Sequence, residues 1–257
     1  MNEQTRINNG LQYKFIKPDK SLSDFVAGFW ALQNLYEHTQ EAIALPDGRI
    51  DLVLSKSASE PFVISVLGIG TQPDKVKVTP KSLIFAIGFK LPATEYILNF
   101  SVAGLLNNGK HLANDFWDFA AEDLNDFDAF YRKASQKIQS LLPQATDSRK
   151  QKLFEMIYAS KGEVTVKELS EKVFWSSRQI NRYFNQQFGL SLKVYCSILR
   201  FRESLEHIAK GKFFPELDFA DQNHFIKQVK KFSGVVPTEL FKHKNDRFVL
   251  LSTLTEP

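Results

Sequence analysis

The sequence has few of the residues and patterns that define secreted or membrane proteins. It holds a single cysteine, Cys196, in 257 residues, so no intrachain disulfide can form. A chain without disulfides is typical of a reducing compartment. No apolar run approaches the roughly 18 residues that a membrane-spanning helix needs, and the polar start MNEQTRINNG is unlike a secretory signal. These absences predict a soluble, cytoplasmic protein with no membrane partner.

Residues that build catalytic and metal sites are also sparse. The histidines are scattered, with no pair four residues apart and no cysteine partner; they are His38, His111, His207, His224 and His243. A zinc site is therefore not expected. The acidic tract in residues 115–128 lacks the spacing and the glycine of a calcium loop, and it suits helix N-termini better. With no phosphate-cradling glycine loop and no nucleophile triad, we expect no enzyme activity, no catalytic residue, no cofactor and no metal.

The charge of the chain is unevenly distributed. Residues 1–146 hold 14 Lys and Arg against 16 Asp and Glu, whereas residues 147–244 hold 18 against 11. The overall charge of +4 therefore conceals a basic second half. A basic domain is the electrostatic footprint of nucleic-acid binding, although a basic surface can also simply aid solubility.

The first half has the pattern of a β-rich domain. Short runs of β-branched and aromatic residues, bounded by turn residues, predict strands at residues 11–16, 29–35, 50–54, 62–67 and 83–89. Residues 22–26 are predicted to form a short helix capped by Ser21 or Ser23. Pro46, Asp47 and Gly48 predict a turn that a strand leaves directly, because Pro presets φ, Asp bonds its own backbone and Gly accepts a positive φ.

Residues 165–188 predict a helix-turn-helix. Thr165 with Glu168, and Ser176 with Gln179, each have the spacing of a capping box, so one helix starts at Thr165 and a second starts at Ser176. In the second helix Ile180, Phe184 and Phe188 form an apolar stripe.

The opposite face of that second helix carries polar side chains and no carboxylate. Its residues are Arg178, Asn181, Arg182 and Asn185. Guanidinium and amide groups are the donors and acceptors that read guanine and adenine edges. Such a face is also common on helices that merely contact solvent, so periodicity alone leaves both interpretations open.

The residues after this pair resemble the AraC/XylS family of transcription regulators. Gly189, Leu190, Ser191, Tyr195 and Arg200 match its G-x-S-P-x-x-Y-x-x-x-x-R signature, with Leu192 at the usual proline. Residues 221–237 resemble the second signature of the family, with Asn223 and Val229 as departures. The resemblance covers roughly residues 148–244. It implies an all-α double helix-turn-helix domain whose connecting helix, residues 191–209, separates two recognition helices by about 34 Å, one DNA turn.

The second unit departs from the family. The segment KFFPELDFA is about one helical turn shorter than usual, so its scaffold helix is reduced to residues 215–217 and its recognition helix starts at Asp221. The resemblance implies base or phosphate contacts by two groups of residues. They are Ser177, Arg178, Asn181 and Arg182 in the first unit, and Gln222, Asn223 and Lys227 in the second.

The N-terminal half resembles a poorly characterised AraC-like subfamily. The stretches ALPDGRIDLVLS and AIGFKLPATEYIL carry this similarity, with Ala93 at a usual glycine. By analogy with better-known relatives, it implies a cupin-like barrel that senses a small-molecule effector or mediates homodimerisation. Asp47, Arg49 and Asp51 could line a pocket mouth; we favour the alternative that they belong to a turn and the exposed side of a strand.

We therefore predict an α+β protein in four parts. A β-rich sensor or dimerisation domain with flanking helices spans residues 1–142, a linker 143–148, an AraC-type DNA-binding domain 149–244 and a tail 245–257. The function that the resemblance implies is a bacterial sequence-specific regulator that binds double-stranded DNA, with RNA polymerase as a further candidate partner. The alternative is a protein-interaction module whose second unit no longer reads DNA. Some relatives carry a nucleophilic cysteine for DNA repair, but Cys196 on the connecting helix suits a packed thiol better.

Overall fold

The computed structural model describes residues 3–8, 10–213 and 221–243. Strands occupy the chain up to His111, and helices form most of the described chain after that residue. The prediction of an α+β fold, with a β-rich N-terminal part and a helical C-terminal part, is therefore confirmed. No helix in the described ranges is both long and apolar enough to cross a membrane.

The N-terminal part contains two antiparallel sheets. Its strands in the described residues are β1 (Glu3–Asn8), β2 (Leu11–Ile16), β3 (Val26–Asn34), β4 (Gln40–Ala44), β5 (Ile50–Lys56), β6 (Val63–Leu67), β7 (Asp74–Val78), β8 (Leu83–Phe89) and β9 (Gly109–His111). Seven of them form one sheet in the order β1-β2-β3-β8-β5-β6-β9, and β4 pairs with β7 in a separate ribbon. All five strands predicted from the sequence are present.

The seven-stranded sheet is covered on both faces. On β5, Ile50, Leu52 and Leu54 point toward the helices and are fully buried, whereas Asp51 and Val53 point the opposite way, because successive side chains alternate between faces. On that opposite face the β4–β7 ribbon packs against the sheet through a small apolar cluster. Its buried members are Tyr13, Leu32, Ala42 and Val78. The two sheets thus enclose an inner layer, as expected of a small barrel.

Two features of this part were not predicted correctly. Residues 22–26 are not a helix: a 3-10 helix occupies Lys20–Leu22, and Val26 already pairs with Phe89 in the sheet. The ladder with β8 and burial of Phe25 and Val26 outweigh the local capping signal. Strands β1, β7 and β9 were missed because their residues are largely polar, and β4 was missed because its five residues, QEAIA, show no alternation of polar and apolar side chains.

The helices within the described residues are α1 (Ala93–Tyr96), α2 (Phe127–Leu141), α3 (Ser148–Ala159), α4 (Val166–Val173), α5 (Ser177–Phe188), α6 (Leu192–Ala209), α7 (Gln222–Ser233) and α8 (Pro237–Lys242). Helix α2 packs on the sheet, where the rings of Phe130 and Phe85 lie 5.5 Å apart. The predicted scaffold helix at 215–217 and the tail 245–257 lie outside the described residues.

Sheet and helices share one hydrophobic core. Buried apolar side chains form a connected cluster that runs from Ile16 in β2, through Phe89 in β8 and Phe201 in α6, to Leu240 in α8. The helical part therefore packs directly on the sheet part.

Candidate nucleic-acid interface

Helices α4 and α5 form the predicted helix-turn-helix, and both predicted capping boxes are present. The Thr165 hydroxyl accepts a hydrogen bond from Glu168 N, while the Glu168 carboxylate accepts one from Thr165 N at 2.8 Å. These bonds hold the pKa of Glu168 below its usual value. Ser176 and Gln179 repeat the arrangement at the start of α5. Because each box satisfies amides that a helix start leaves unpaired, the two helices begin where the sequence indicates.

The turn between the two helices is tight. Phe174 closes α4 with a left-handed backbone, φ 55°, and its side chain is 88% exposed. A positive φ is unusual for a bulky residue, and it permits the N-cap of α5, Ser176, to follow two residues later.

The buried face of α5 fixes its orientation. Ile180, Phe184 and Phe188 are fully buried, and the rings of Phe184 and Phe188 meet edge to face at 5.2 Å. Each buried apolar side chain of this size stabilises the fold by roughly 1.5–3 kcal/mol. The opposite face is therefore held toward solvent.

That exposed face carries the predicted contact residues. Ser177, Arg178 and Arg182 are exposed, and Asn181 is half-buried. Within the part of the chain that the structure describes, neither guanidinium has a hydrogen-bond or ion-pair partner. The Asn181 amide donates to Ser177 O at 3.0 Å, and the Asn185 amide donates to Asn181 O at 2.9 Å. The two arginines are thus available for an anionic partner, whereas the two amides must leave their backbone bonds to reach one.

The second unit is built around α7. Asp221 caps this helix by accepting from His224 N at 2.7 Å, and Phe225 and Val229 lie in the core. The predicted contact residues all lie on its exposed side; they are Gln222, Asn223 and Lys227. Helix α7 contains no carboxylate, as in α5.

Two residues of the first family signature, Tyr195 and Arg200, lie on α6 and form hydrogen bonds within the protein. The Tyr195 hydroxyl donates to Gly48 O at 3.1 Å and lies 3.2 Å from the Tyr158 hydroxyl oxygen. Arg200 donates to Gly162 O at 2.8 Å. These bonds join α6 to the turn before β5 and to the loop before α4, so they fix the position of α6 relative to both.

Cys196 is buried on α6, and burial raises the pKa of its thiol to about 11. The thiol is therefore protonated at neutral pH, which fits the packed-thiol interpretation better than a nucleophile. Across the described ranges, no group of three or more His, Cys, Asp or Glu side chains could hold a metal ion.

The sheet part contacts α5 directly. The Ser101 hydroxyl donates to Gln186 O at 2.8 Å, and Val102 N donates to Gln187 O at 3.0 Å, so the loop before residue 103 satisfies carbonyls at the C-terminal end of α5. One turn earlier in α5, the Tyr183 hydroxyl donates to the Glu95 carboxylate at 2.8 Å. No local pattern in the sequence indicates these contacts, because the partners lie more than 80 residues apart.

A cavity of about 240 Å³ lies between the seven-stranded sheet and the ribbon. Its walls are mainly apolar, and Asp47, Arg49 and Asp51 line one end. The predicted turn is present, since Asp47 accepts from Arg49 N at 2.9 Å. The prediction that these residues are exposed is wrong: the Arg49 and Asp47 side chains are only 9% and 17% exposed, because the inner layer encloses this end of β5.

Asp51, the third of these residues, is half-buried on β5. Its Oδ1 accepts from Trp30 Nε1 at 3.0 Å. Burial, followed by the neighbouring Asp47 charge, raises the pKa of Asp51 to about 7. On the far side of Arg49, the Arg202 guanidinium of α6 has its pKa lowered to about 10, chiefly by the Arg49 charge. The cavity end is therefore electrostatically connected to the helix that joins the two units.

Comparisons with known proteins find one family model and several solved structures. A family model described as "Domain of unknown function (DUF6597)" matches residues 14–110. The crystal structure of ToxT from Vibrio cholerae (P21 form) is similar over 94% of this chain and 98% of that chain, with 12% identity and a TM-score of 0.44. Unsaturated fatty acid bound wild-type ToxT from Vibrio cholerae strain SCE256 is similar over 92% and 96%, with 12% identity and a TM-score of 0.40. A search of curated proteins finds no match. The matched family model thus covers much of the sheet part and leaves the helical part unassigned.

Proposed function

We propose that this protein is a sequence-specific regulator of transcription that binds double-stranded DNA. The observation that carries the proposal is the exposed face of α5, where two guanidinium groups that have no partner among the described residues project beside two amides, on a helix without a carboxylate. A helix of this kind fits the major groove, where Arg reads guanine and Asn reads adenine.

The contacts divide between the two units. In the first unit, Arg178, Asn181 and Arg182 contact base edges, and Ser177 contacts a phosphate near the start of α5. In the second unit, Gln222 and Asn223 lie in the first turn of α7, and Lys227 one turn later supplies a phosphate contact. The basic excess of residues 147–244 adds non-specific attraction to DNA.

Control of DNA binding is assigned to residues 1–142, by a small-molecule effector or by association of two copies. Residues 143–148 serve as the linker, 149–244 as the DNA-binding domain and 245–257 as the tail. The bonds from Ser101 and Val102 to α5 support this assignment, because they join the sheet part to the helix that reads DNA. A ligand that binds one arrangement of these contacts better than another shifts the population of DNA-competent molecules. The regulator is bacterial, cytoplasmic and without catalytic activity, and RNA polymerase is the partner through which it acts.

The test is selection of bound sequences from a random duplex library at about 150 mM salt, where non-specific phosphate binding is weakened. We expect a motif with two half-sites about ten base pairs apart, read by α5 and α7. A single short half-site means that α5 alone reads bases. The double variant Arg178→Ala, Arg182→Ala serves as the control and should select no motif. Lack of any enrichment by the wild-type protein, with or without added effector candidates, rejects the proposal in favour of a protein-interaction module.

A further inference from the structure

The cavity between the sheet and the ribbon has an apolar body and one acidic end. Its volume of about 240 Å³ exceeds the roughly 150 Å³ of an engineered cavity that holds benzene. It therefore has room for one ring and a short chain. Tyr13 and Trp30 form part of the wall, with near-parallel rings 6.4 Å apart.

At the acidic end, one carboxylate oxygen and one buried N–H, Arg49 Nε, make no hydrogen bond with the described residues. Asp51 Oδ1 accepts from Trp30 Nε1, but Oδ2 has no hydrogen-bond donor among the residues that the structure describes. The cation at this end, Arg49, is ion-paired: its Nε lies 3.3 Å from Asp47 Oδ2, although this buried N–H makes no hydrogen bond within the described residues, and its guanidinium lies 5.9 Å from the Phe15 ring. Trp30 provides the one indole N–H among the described residues of the cavity wall, and this N–H already donates to Asp51 Oδ1.

Among the residues that line this end, ionised carboxylates outnumber guanidinium groups by one. Asp47 and Asp51 contribute two carboxylates when ionised, and Arg49 contributes one guanidinium. Arg202, the next cation, does not line the cavity. A ligand carboxylate here would face two like charges, and a polyol would find too few polar partners in an apolar wall.

We propose that this cavity binds a small aryl-alkyl amine, with its ammonium group on Asp51 Oδ2 and its ring against Tyr13 and Trp30. The ammonium supplies the missing donor and the missing charge. The indole face of Trp30 adds a cation–π attraction, and the apolar wall takes the ring. This inference rests on the proposed function, in which residues 1–142 respond to an effector, and it names the chemical class of that effector.

The experiment measures binding of defined probes to the full chain by calorimetry at about pH 8, where Asp51 is ionised. The amines are 2-phenylethylamine and 4-phenylbutylamine; the length-matched carboxylates are 3-phenylpropanoate and 5-phenylpentanoate. We expect at least one amine to bind about tenfold or more tightly than its matched carboxylate.

Two variants at the cavity and one control variant test the location of the binding site. Asp51→Asn keeps the shape of the side chain and should remove the preference for the amine, whereas Asp118→Asn, at a side chain that is 85% exposed, should leave it unchanged. Val53→Phe, at a wall position, should block both classes of probe. Equal binding of amine and carboxylate, a preference that survives in Asp51→Asn, or no amine binding below about 5 mM overturns the proposal.

DNA is absent from this assay, so its result is separate from that of the library selection. If the protein binds an amine but selects no DNA sequence, the proposal of a transcription regulator is rejected and the proposal of an amine ligand stands. If the protein selects a DNA sequence but binds neither amine, only the proposal of an amine ligand is rejected.

Discussion

The hydroxyl of Tyr183, on the helix that we propose reads DNA, donates a 2.8 Å hydrogen bond to the Glu95 carboxylate of the sheet part. Lys150 Nζ of α3 lies 2.7 Å from the other oxygen of the same carboxylate. Burial, followed by the Glu95 charge, raises the pKa of Tyr183, so the phenol keeps its proton throughout the ordinary pH range.

The first prediction concerns this bond. Tyr183→Phe should lower the free energy of unfolding by about 1.5–3 kcal/mol, because it removes a hydrogen bond to a charged, largely buried acceptor. Urea unfolding followed by circular dichroism measures the change. The control is Tyr36→Phe, at a side chain that is 43% exposed, which should change stability little. Equal effects of the two variants would contradict a joining role for Tyr183.

The second prediction concerns Gly189, which ends α5 with φ +76°. A Cβ at this residue would lie 2.5 Å from Ala103 O, so Gly189→Ala should cost more than the ~1 kcal/mol of a left-handed backbone alone. Gly104→Ala is a close control, since no heavy atom lies within 4 Å of a Cβ there. Unfolding midpoints in urea measure both changes. If Gly189→Ala is as stable as Gly104→Ala, residues 101–103 do not pack closely against the C-terminal end of α5.

The third prediction concerns the reading face. Arg178→Ala and Arg182→Ala should each weaken binding to a selected duplex by about 1–3 kcal/mol and relax specificity at one or two base pairs. Fluorescence anisotropy against the motif and its single-base variants measures both effects. Lys77→Ala, an exposed lysine on the ribbon, should leave affinity and specificity unchanged. If both arginine variants bind as tightly as the wild-type protein, DNA contacts another face.

The fourth prediction concerns the pH dependence of stability. Asp51 has a folded-state pKa of about 7, above the 3.8 of an unperturbed carboxyl, because burial and Asp47 raise it more than Trp30 and Arg49 lower it. The folded protein therefore binds more protons than the unfolded chain between these two pH values. The free energy of unfolding should fall as pH rises through that window and then level off.

Asp51→Asn isolates the contribution of this carboxyl, and chemical unfolding at about pH 5 and about pH 7.5 measures it. Relative to the variant, the wild-type protein should lose stability between the two conditions. The other titratable side chains that line the cavity are Tyr13, Asp47 and Arg49, and they are unchanged in the variant. A constant difference between wild type and variant would mean that Asp51 titrates normally.

The sequence predicted best those features that local interactions decide. Both capping boxes of the helix-turn-helix lie within four residues, and β8 is a run of buried residues whose predicted bounds, 83–89, match the strand Leu83–Phe89. The exposed polar face of α5 follows from helical periodicity once Ile180 and Phe184 are buried.

Features that depend on distant partners could not be predicted. Strand β7, DKVKV, has mostly exposed charged residues, and only its pairing with β4 makes it a strand. Asp51 alternates with apolar neighbours as a solvent-facing residue would, yet the ribbon covers that face. Glu95 and Tyr183 lie 88 positions apart in the chain and meet only when both parts are folded.

Because one continuous core runs from Ile16 to Leu240, the protein cannot be cut cleanly into two halves. A helical half expressed alone would expose the apolar surface that now contacts the sheet, and an unrelated sensor grafted onto it would have to match that surface. The two halves are therefore not independent domains that could be exchanged for unrelated ones. Calorimetry should show one cooperative unfolding transition. Substitutions in the core of the sheet should therefore also lower the stability of α5 and α7.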